Sequence, residues 1–277
     1  MLITDINQMK QISKNLKKEG KTIGFVPTMG YLHKGHISLM ECSKKDNDIT
    51  IVSIFVNPTQ FGPNEDLDKY PRDLERDLKI CKEVAVDYVF HPKAEDMYPE
   101  GYSTYVVMET LTDKLCGKFR PGHFKGVLTV VNKLFNIVKP DKAYFGKKDY
   151  QQYIVIKKMV EDLNMDVDII GCPLIREKDG LAMSSRNKYL SQEERERALS
   201  ISKALFKAKD LFEKGETNPK NLIKEMKKIM ENNVDEIQYI EIVNPKNLEP
   251  KEKVEKGDII LVAAFVGSTR LIDNIEL

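Results

Sequence analysis

The first 170 residues alternate between two kinds of segment. Short apolar runs rich in β-branched residues are separated by longer segments in which apolar residues recur every three or four positions. The runs predict strands at residues 21–26, 49–56, 86–90, 143–145 and 167–170. The periodic segments predict helices at residues 5–19, from Gly35 onward, 71–84, 126–138 and 150–163. Strands and helices that alternate in this way favour a parallel α/β sheet.

The pattern changes after Cys172 and Pro173. Residues 191–231 predict two charged amphipathic helices that are broken at residues 215–219, and strand-like runs follow at 237–243 and 258–266, before a short tail. Helices followed by strands indicate a second, smaller α+β domain. We expect a boundary between residues 173 and 188 and divide the chain into domains 1–175 and 176–277.

Composition narrows the classes of function. The chain has 277 residues, 41% of them hydrophobic, and its 44 Lys and Arg against 43 Asp and Glu leave a formal net charge of +1. This balance argues against disorder and against a protein that coats nucleic acid, but it leaves room for a local phosphate site. Without an apolar signal segment or membrane span, we expect a cytoplasmic protein with no membrane partner. The four cysteines are widely spaced, which favours reduced thiols over a zinc or disulfide framework.

The segment T-I-G-F-V-P-T-M-G-Y-L-H-K-G-H-I-S-L-M, residues 22–40, carries the first chemical signal. It predicts a strand, a loop and a helix start, a turn that directs backbone N–H groups toward an anion. His33 and His36 flank Gly35, so two imidazoles can donate to phosphate oxygens from one side of the helix start. The pair could also be two surface histidines or half of a metal site. Neither G-x-G-x-x-G after a strand nor a P-loop motif is present.

Three further polar clusters come after predicted strands or between the domains. They are N-P-T-Q-F-G at 57–62, F-G-K-K-D-Y-Q-Q at 145–152 and A-M-S-S-R-N at 182–187. The first supplies neutral amides, and the other two supply cations and hydroxyls suited to a polyphosphate. Each cluster alone could equally be turn chemistry, a charged helix cap or a solvated loop. The basic segment at 118–126 predicts either a substrate rim or a polar loop.

Together these motifs resemble the pantoate–β-alanine ligase family, within the broader group of HIGH-type nucleotidyltransferase-like proteins. The resemblance runs in order through residues 22–190 and continues more loosely to the C-terminus. It implies a Rossmann-like N-terminal domain with a smaller C-terminal lid domain, and a homodimer. It also implies ATP-dependent condensation of (R)-pantoate with β-alanine through a pantoyl adenylate, with release of AMP and pyrophosphate. Magnesium is implied with ATP, without a tightly bound cofactor.

The resemblance also implies roles for individual residues. Gln60 and Gln152 match pantoate-binding positions, and Gln60 is also tied to β-alanine. His36 matches the proton donor, and His33, Lys148 and Arg186 complete the expected catalytic set. The positions that match ATP-binding stretches are Met29, Gly30, Tyr31, Leu32, His33, Lys34, Gly35, His36, Gly146, Lys147, Lys148, Asp149, Ile175, Met183, Ser184, Ser185 and Arg186.

One position departs from the resemblance. The family often has Glu where this chain has Lys147, which reverses the charge at that position. Val130, Val131 and Phe145 could supply an apolar wall for the geminal methyl groups of pantoate, and no carboxylate is assigned as a metal ligand. Two alternatives are another HIGH-type transferase, such as a cytidylyl- or adenylyltransferase, and a non-catalytic nucleotide-binding module. An aminoacyl-tRNA synthetase fits less well, because the C-terminal region has balanced charge.

Overall fold

The structure of the chain is a computed structural model that describes residues 1–63 and 65–277. The strands are β1 Leu2–Ile3, β2 Ile23–Thr28, β3 Ile49–Ile54, β4 Tyr88–Phe90, β5 Lys142–Gly146, β6 Asp168–Cys172, β7 Glu236–Val243, β8 Ile259–Val266 and β9 Thr269–Glu276. The helices are α1 Ile6–Lys18, α2 Lys34–Asp46, α3 Leu74–Glu83, α4 Ala94–Met97, α5 Leu115–Phe119, α6 His123–Val138, α7 Tyr150–Asp162, α8 Gln192–Glu213 and α9 Pro219–Met230. Short 3₁₀ turns form at Pro58–Gln60, Lys147–Asp149 and Ser185–Tyr189.

The chain divides into two units, each drawn from separate stretches of sequence. The first unit comprises Met1–Thr112, Arg120–Lys147 and Gln152–Pro173. The second comprises Asp113–Phe119, Lys148–Gln151 and Leu174–Leu277. The expected division into a Rossmann-like domain at residues 1–175 and a smaller lid domain at residues 176–277 stays a prediction.

A six-stranded parallel sheet forms the first unit, in the order β1-β4-β3-β2-β5-β6. The predicted α/β fold is thereby confirmed. Strand β2 pairs with β3 on one side and with β5 on the other, so the strand order reverses direction at β2. In open α/β sheets, ligands bind beyond the carboxyl ends of the strands at such a reversal. The loops after β2, β3 and β5 therefore occupy the edge where a ligand is expected.

The core of the first unit explains why these strands are so apolar. Val26 of β2 and Val52 of β3 are fully buried, and they share one cluster with Met40 of α2, Cys81 of α3 and Tyr144 of β5. A central parallel strand covered on both faces needs a nearly continuous apolar sequence. Burial of each such side chain contributes about 1.5–3 kcal/mol relative to exposure.

Helix α6 approaches the 3₁₀ turn Pro58–Gln60 closely at Gly126. A Cβ atom at this position would lie 2.4 Å from the carbonyl oxygen of Thr59 and 2.6 Å from the Cα of Gln60. Both neighbours are backbone atoms that cannot rotate away, so glycine is required here. This contact fixes the turn that carries Gln60.

The second unit contains an antiparallel sheet in the order β7-β8-β9, together with α8 and α9. Its apolar cluster includes Leu205 of α8, Met226 of α9 and Val262 of β8. Helix α8 begins with a capping box, in which Ser191 and Glu194 each accept the other's backbone N–H. The expected α+β character of the C-terminal region is confirmed.

Several sequence-based boundaries were wrong. Strand β3 ends at Ile54 rather than at residue 56, and the helix predicted from Pro71 begins at Leu74 because Asp73 caps it. The C-terminal tail forms the whole strand β9, with the sequence T-R-L-I-D-N-I-E. Three of its buried positions are polar, and two of them, Asp273 and Asn274, interrupt the middle of the apolar pattern expected of a strand.

The described residues contain no helix with both the length and the apolar character needed to cross a bilayer. All four cysteines are free thiols, and three of them are buried.

Candidate active site

His33 and His36 form the cap of helix α2. The Nδ1 atom of His33 accepts the backbone N–H of Gly35 at 3.1 Å, and the Nδ1 atom of His36 accepts the backbone N–H of His33 at 3.2 Å. The two rings lie 4.1 Å apart between centroids. A capping box made of two histidines thus joins the loop after β2 to the helix.

This cap decides which nitrogen of each ring carries a proton. A backbone N–H can only donate, so both Nδ1 atoms must be acceptors, and the proton of each neutral imidazole lies on Nε2. Both half-buried histidines therefore present an Nε2–H donor on the side of the ring opposite the cap. Two such donors at the N-terminus of a helix suit a phosphate oxygen.

A buried carboxylate on α3 fixes the loop that carries these histidines. Asp77, 1% exposed, accepts the backbone N–H groups of Tyr31 at 2.7 Å and Leu32 at 2.8 Å. Its neighbour Arg76 donates to the carbonyl of Leu32 at 2.8 Å and lies over the ring of Tyr31. Tyr31 has a φ of 50°, a strained value for a residue other than glycine, and the carboxylate holds it there.

Asp77 was missed by the sequence analysis. It occupies the apolar face of α3 with Leu74 and Cys81, and an acidic residue in that position is a signal of a buried polar partner. Burial raises the pKa of its carboxyl, although the two backbone hydrogen bonds and Arg76 oppose that shift. Because its oxygens take the N–H groups of Tyr31 and Leu32, these two groups face α3.

Gln60 lies in the turn after β3, and its side chain is brought next to the loop after β2. It is 8% exposed, and its Nε2 lies 3.4 Å from the Sδ of Met29. Its main-chain carbonyl accepts from His123 Nδ1 at 2.9 Å and from Arg120 Nη2 at 3.4 Å. The structure therefore brings together two predicted residues, Met29 and Gln60, with Arg120 and His123 of the basic segment at 118–126.

Arg120 and His123 form part of a charged network with Glu65. The guanidinium of Arg120 donates to both carboxylate oxygens of Glu65, at 2.7 and 2.6 Å, and its Nη1 lies 3.2 Å from His123 Nε2. Burial would raise the pKa of Glu65, but the hydrogen bonds and charge of Arg120 outweigh it and hold the pKa below its usual range. Arg120 and His123, both in the basic segment at 118–126, therefore support the turn that carries Gln60.

The other predicted residues of the first unit lie on β5, α6 and α7. Gly146 and Lys147 end strand β5 and begin the following turn, and Gln152 is half-buried in the first turn of α7. The proposed apolar wall residues Val130, Val131 and Phe145 are all buried.

The second unit carries the M-S-S-R loop at the end of a hairpin. The backbone N–H of Met183 donates to the carbonyl of Ile175 at 3.0 Å, and Ser184 Oγ accepts the N–H of Arg186 at 3.2 Å. Asn187 donates to Glu177 at 2.8 Å, and Arg195 also binds Glu177 at 2.8 Å. Glu177 and Arg195, both missed from the sequence, brace this loop.

Lys148 and Asp149 also belong to the second unit. The Nζ of Lys148 lies 3.6 Å from the carboxylate of Asp149, and Asn274 of β9 donates to the Lys148 carbonyl at 2.9 Å. Next to Asn274, the buried Asp273 forms a two-pronged ion pair with Arg176, at 2.6 and 2.9 Å. Thus Asp273 of β9 anchors the hairpin through Arg176, and Asn274 of β9 anchors the main chain at Lys148.

In the part of the chain that the structure describes, no group of three or more His, Cys, Asp or Glu side chains could hold a metal ion. Magnesium, which the resemblance implies, stays an expectation tied to ATP as the substrate.

The fold and the candidate site first define a class: an α/β protein with polar loops at the carboxyl edge of a parallel sheet, where open α/β sheets bind ligands. Solved structures agree with this. A pantothenate synthetase from Thermus thermophilus is 42% identical, with a TM-score of 0.93 over 99% of this chain and 98% of that one. A pantoate-beta-alanine ligase from Francisella tularensis, solved with beta-gamma ATP and beta-alanine, is 39% identical, with a TM-score of 0.82 over 100% and 97% of the two chains.

Sequence comparison gives the particular family. The family model described as Pantoate-beta-alanine ligase matches residues 1–276. A pantothenate synthetase from Sulfurihydrogenibium sp. (strain YO3AOP1) is 62% identical over 99% of both chains. Another from Caldicellulosiruptor saccharolyticus is 60% identical over 99% of this chain and 98% of that relative. The chain belongs to the pantoate–β-alanine ligase family.

Because Glu65 forms an ion pair with Arg120, we expect Glu65→Gln to lower the stability of the protein in a pH-dependent way. The side chains are only 24% and 12% exposed, so the substitution should lower the free energy of unfolding at pH 7 by about 1–3 kcal/mol. A lowered pKa contributes stability above the unfolded value of about 4.3, and that contribution is lost as pH falls through the folded pKa. The difference from wild type should therefore shrink below about pH 4.

Urea denaturation at several pH values measures this difference. Glu95→Gln is the matched control, because Glu95 and its partner Lys93 are largely exposed and their pair should contribute little. A Glu65→Gln difference that is absent at pH 7, or that is unchanged down to about pH 3.5, would contradict the assignment.

Proposed function

We propose that this chain is an ATP-dependent ligase that condenses (R)-pantoate with β-alanine, forming pantothenate, AMP and pyrophosphate. The observation that carries the proposal is the paired histidine cap of α2, whose two Nε2–H donors belong to the loop that also contacts Gln60 through Met29. The loop after β2 supplies N–H donors suited to a phosphate, and the Gln60 turn supplies a neutral amide suited to a hydroxy acid, at one edge of a parallel sheet. Family membership supports the same reaction.

The reaction proceeds in two balanced steps. A carboxylate oxygen of pantoate attacks the α-phosphorus of ATP, the bond to the bridging oxygen breaks, and pyrophosphate leaves with its electron pair. The amine of β-alanine then attacks the carbonyl carbon of the pantoyl adenylate, loses a proton and expels AMP. Neither step needs a protein nucleophile, so catalysis rests on positioning and on stabilising negative charge.

In the first unit, His36 and His33 donate through Nε2 to the phosphate oxygens on which charge accumulates. Gln60 and Gln152 bind the carboxylate and hydroxyl groups of pantoate, and Gln60 also contributes to the β-alanine site. The neutral amides suit an acceptor without a phosphate of its own, which separates this proposal from a transferase acting on a phosphorylated alcohol.

In the second unit, Lys148 and Arg186 supply positive charge for the phosphates, with Ser184 and Ser185 as hydroxyl donors. The remaining ATP contacts are the backbone and side-chain positions of the stretches 29–36, 146–149 and 175, with Met183 in the loop. The complex of the Francisella tularensis ligase with beta-gamma ATP and beta-alanine supports ATP and β-alanine as substrates here. Magnesium enters bound to ATP and offsets part of its charge. A homodimer and a cytoplasmic location, expected from the family and the sequence, belong to the same proposal.

The direct test is product formation from ATP and magnesium, with and without pantoate and β-alanine. Pyrophosphate release should require pantoate, and sustained AMP release should require both substrates. ATP binding without pyrophosphate would support a non-catalytic module, and pyrophosphate release that does not depend on pantoate would support a different transferase. Either result would overturn the proposal.

His36→Ala should lower turnover by about 10²–10⁴-fold, because it removes a donor to the reacting phosphate. His36→Asn separates this effect from loss of the helix cap, since an asparagine oxygen can still accept the His33 N–H. Steady-state kinetics and thermal unfolding should show low turnover in both variants, with near-normal stability in His36→Asn. Near-normal turnover in either variant would remove His36 from the mechanism.

Arg186→Ala should impair adenylation more than amide formation. Pyrophosphate–ATP exchange that depends on pantoate reports the first half-reaction, and it should slow by about 10²-fold when a cation for the leaving group is lost. Reaction of isolated pantoyl adenylate with β-alanine reports the second and should change little. Lys188→Ala, an exposed cation in the same 3₁₀ turn, is the control. Equal losses in both halves would contradict a phosphate role for Arg186.

A further inference from the structure

Asn57 caps the 3₁₀ turn Pro58–Gln60 and is almost fully buried, with 1% exposed. Its Nδ2 donates to the main-chain carbonyl of Gly126 at 3.1 Å and to the side-chain Oε1 of Gln60 at 3.0 Å. Its Oδ1 accepts from the backbone N–H of Thr59 at 3.4 Å and from the Thr59 hydroxyl at 2.9 Å. A carbonyl can only accept and a backbone N–H can only donate, so the amide of Asn57 has one possible orientation.

The orientation of Asn57 fixes that of Gln60 in turn. Because the Nδ2 of Asn57 donates, the Gln60 atom facing it must be the oxygen. The Nε2 of Gln60 is thereby directed the other way, toward the Sδ of Met29 at 3.4 Å, which is a weak acceptor. Gln60 therefore offers N–H donors, rather than its carbonyl oxygen, on the side of the loop that carries the histidines.

Tyr98 provides the shortest hydrogen bond to Asn57. Its hydroxyl donates to Asn57 Oδ1 at 2.8 Å, shorter than either bond from Thr59. Burial raises the pKa of Tyr98 to about 12, so the hydroxyl keeps its proton at neutral pH. Its ring packs against Phe55 and Tyr102, which sets the direction of the hydroxyl.

We propose that Tyr98 is a positioning residue that acts through Asn57 to hold the Gln60 amide with its N–H donors toward the pantoate carboxylate or hydroxyl. This inference rests on the proposed function and names the group that makes Gln60 selective for a hydrogen-bond acceptor. Tyr98 does not itself contact the substrate. Its hydroxyl donates to Oδ1 of Asn57, which polarises the amide and strengthens the hydrogen bond that Nδ2 of Asn57 donates to Gln60.

The test compares Tyr98→Phe with Tyr102→Phe. Each loses one hydroxyl from the same aromatic stack, but only that of Tyr98 binds Asn57. Tyr98→Phe should weaken pantoate binding by about fivefold, as expected for one neutral hydrogen bond. Both the KM for pantoate and its dissociation constant by titration calorimetry should show this change. The KM for ATP and the thermal midpoint should stay near wild type, and Tyr102→Phe should leave all four values unchanged.

Two further variants separate positioning from a general structural role. In a Gln60→Ala background, Tyr98→Phe should cause no additional loss of pantoate affinity, since the amide it orients is gone. Asn57→Asp cannot donate to Gln60, so the Gln60 amide should turn its N–H groups toward the new carboxylate. That change should weaken pantoate binding by about thirtyfold, because the ligand then faces an acceptor.

The outcomes keep the two proposals distinct. If the wild-type protein forms no AMP from pantoate, the proposed function fails. If it is active but Tyr98→Phe binds pantoate normally, the inference fails. The inference also fails if Tyr98→Phe raises the KM for ATP as much as that for pantoate, or if its effect persists fully in Gln60→Ala.

Discussion

The parallel pairing of β2 with β3 is the constraint on which the first unit depends. The register aligns Thr28 with Ile54, so the two strands end level with each other. The histidine loop and the Gln60 turn therefore start side by side, although they come from separate parts of the chain. Because β5 pairs with the other side of β2, the strand order also reverses at β2. In open α/β sheets, ligands bind at the carboxyl edge beside such a reversal.

On this frame, buried polar groups determine which atoms are available to a ligand. The histidine cap assigns both ring protons to Nε2, and Asp77 takes two backbone N–H groups of the same loop. The main chain of Gln60 is held by His123, and its side chain by Asn57. Leaving a buried donor or acceptor without a partner costs about 1–3 kcal/mol. Each of these side chains is therefore held in the one orientation that satisfies its hydrogen-bond partners. The candidate site is thus preorganised by hydrogen bonds within the protein.

The sequence predicted the parallel sheet, the histidine loop and the Gln60 turn because each is encoded by local periodicity or by a short motif. Asp77 was not predicted, because it binds Tyr31 from 46 residues away and only its place on an apolar helix face hinted at a partner. Tyr98 binds Asn57 from 41 residues away and carries no local signal. Strand β9 was missed because its buried Asp273 and Asn274 interrupt the apolar pattern. Both are polar because they bind Arg176 and the Lys148 carbonyl.

In the proposed reaction, pantoate is activated by attack of its own carboxylate on the α-phosphorus of ATP. The most direct measurement uses pantoate labelled with ¹⁸O in both carboxylate oxygens, followed by mass spectrometry of the products. We expect one labelled oxygen in AMP, one retained in the amide carbonyl of pantothenate, and none in pyrophosphate. Unlabelled AMP, or label in pyrophosphate, would contradict a pantoyl adenylate and with it the proposed chemistry of this site.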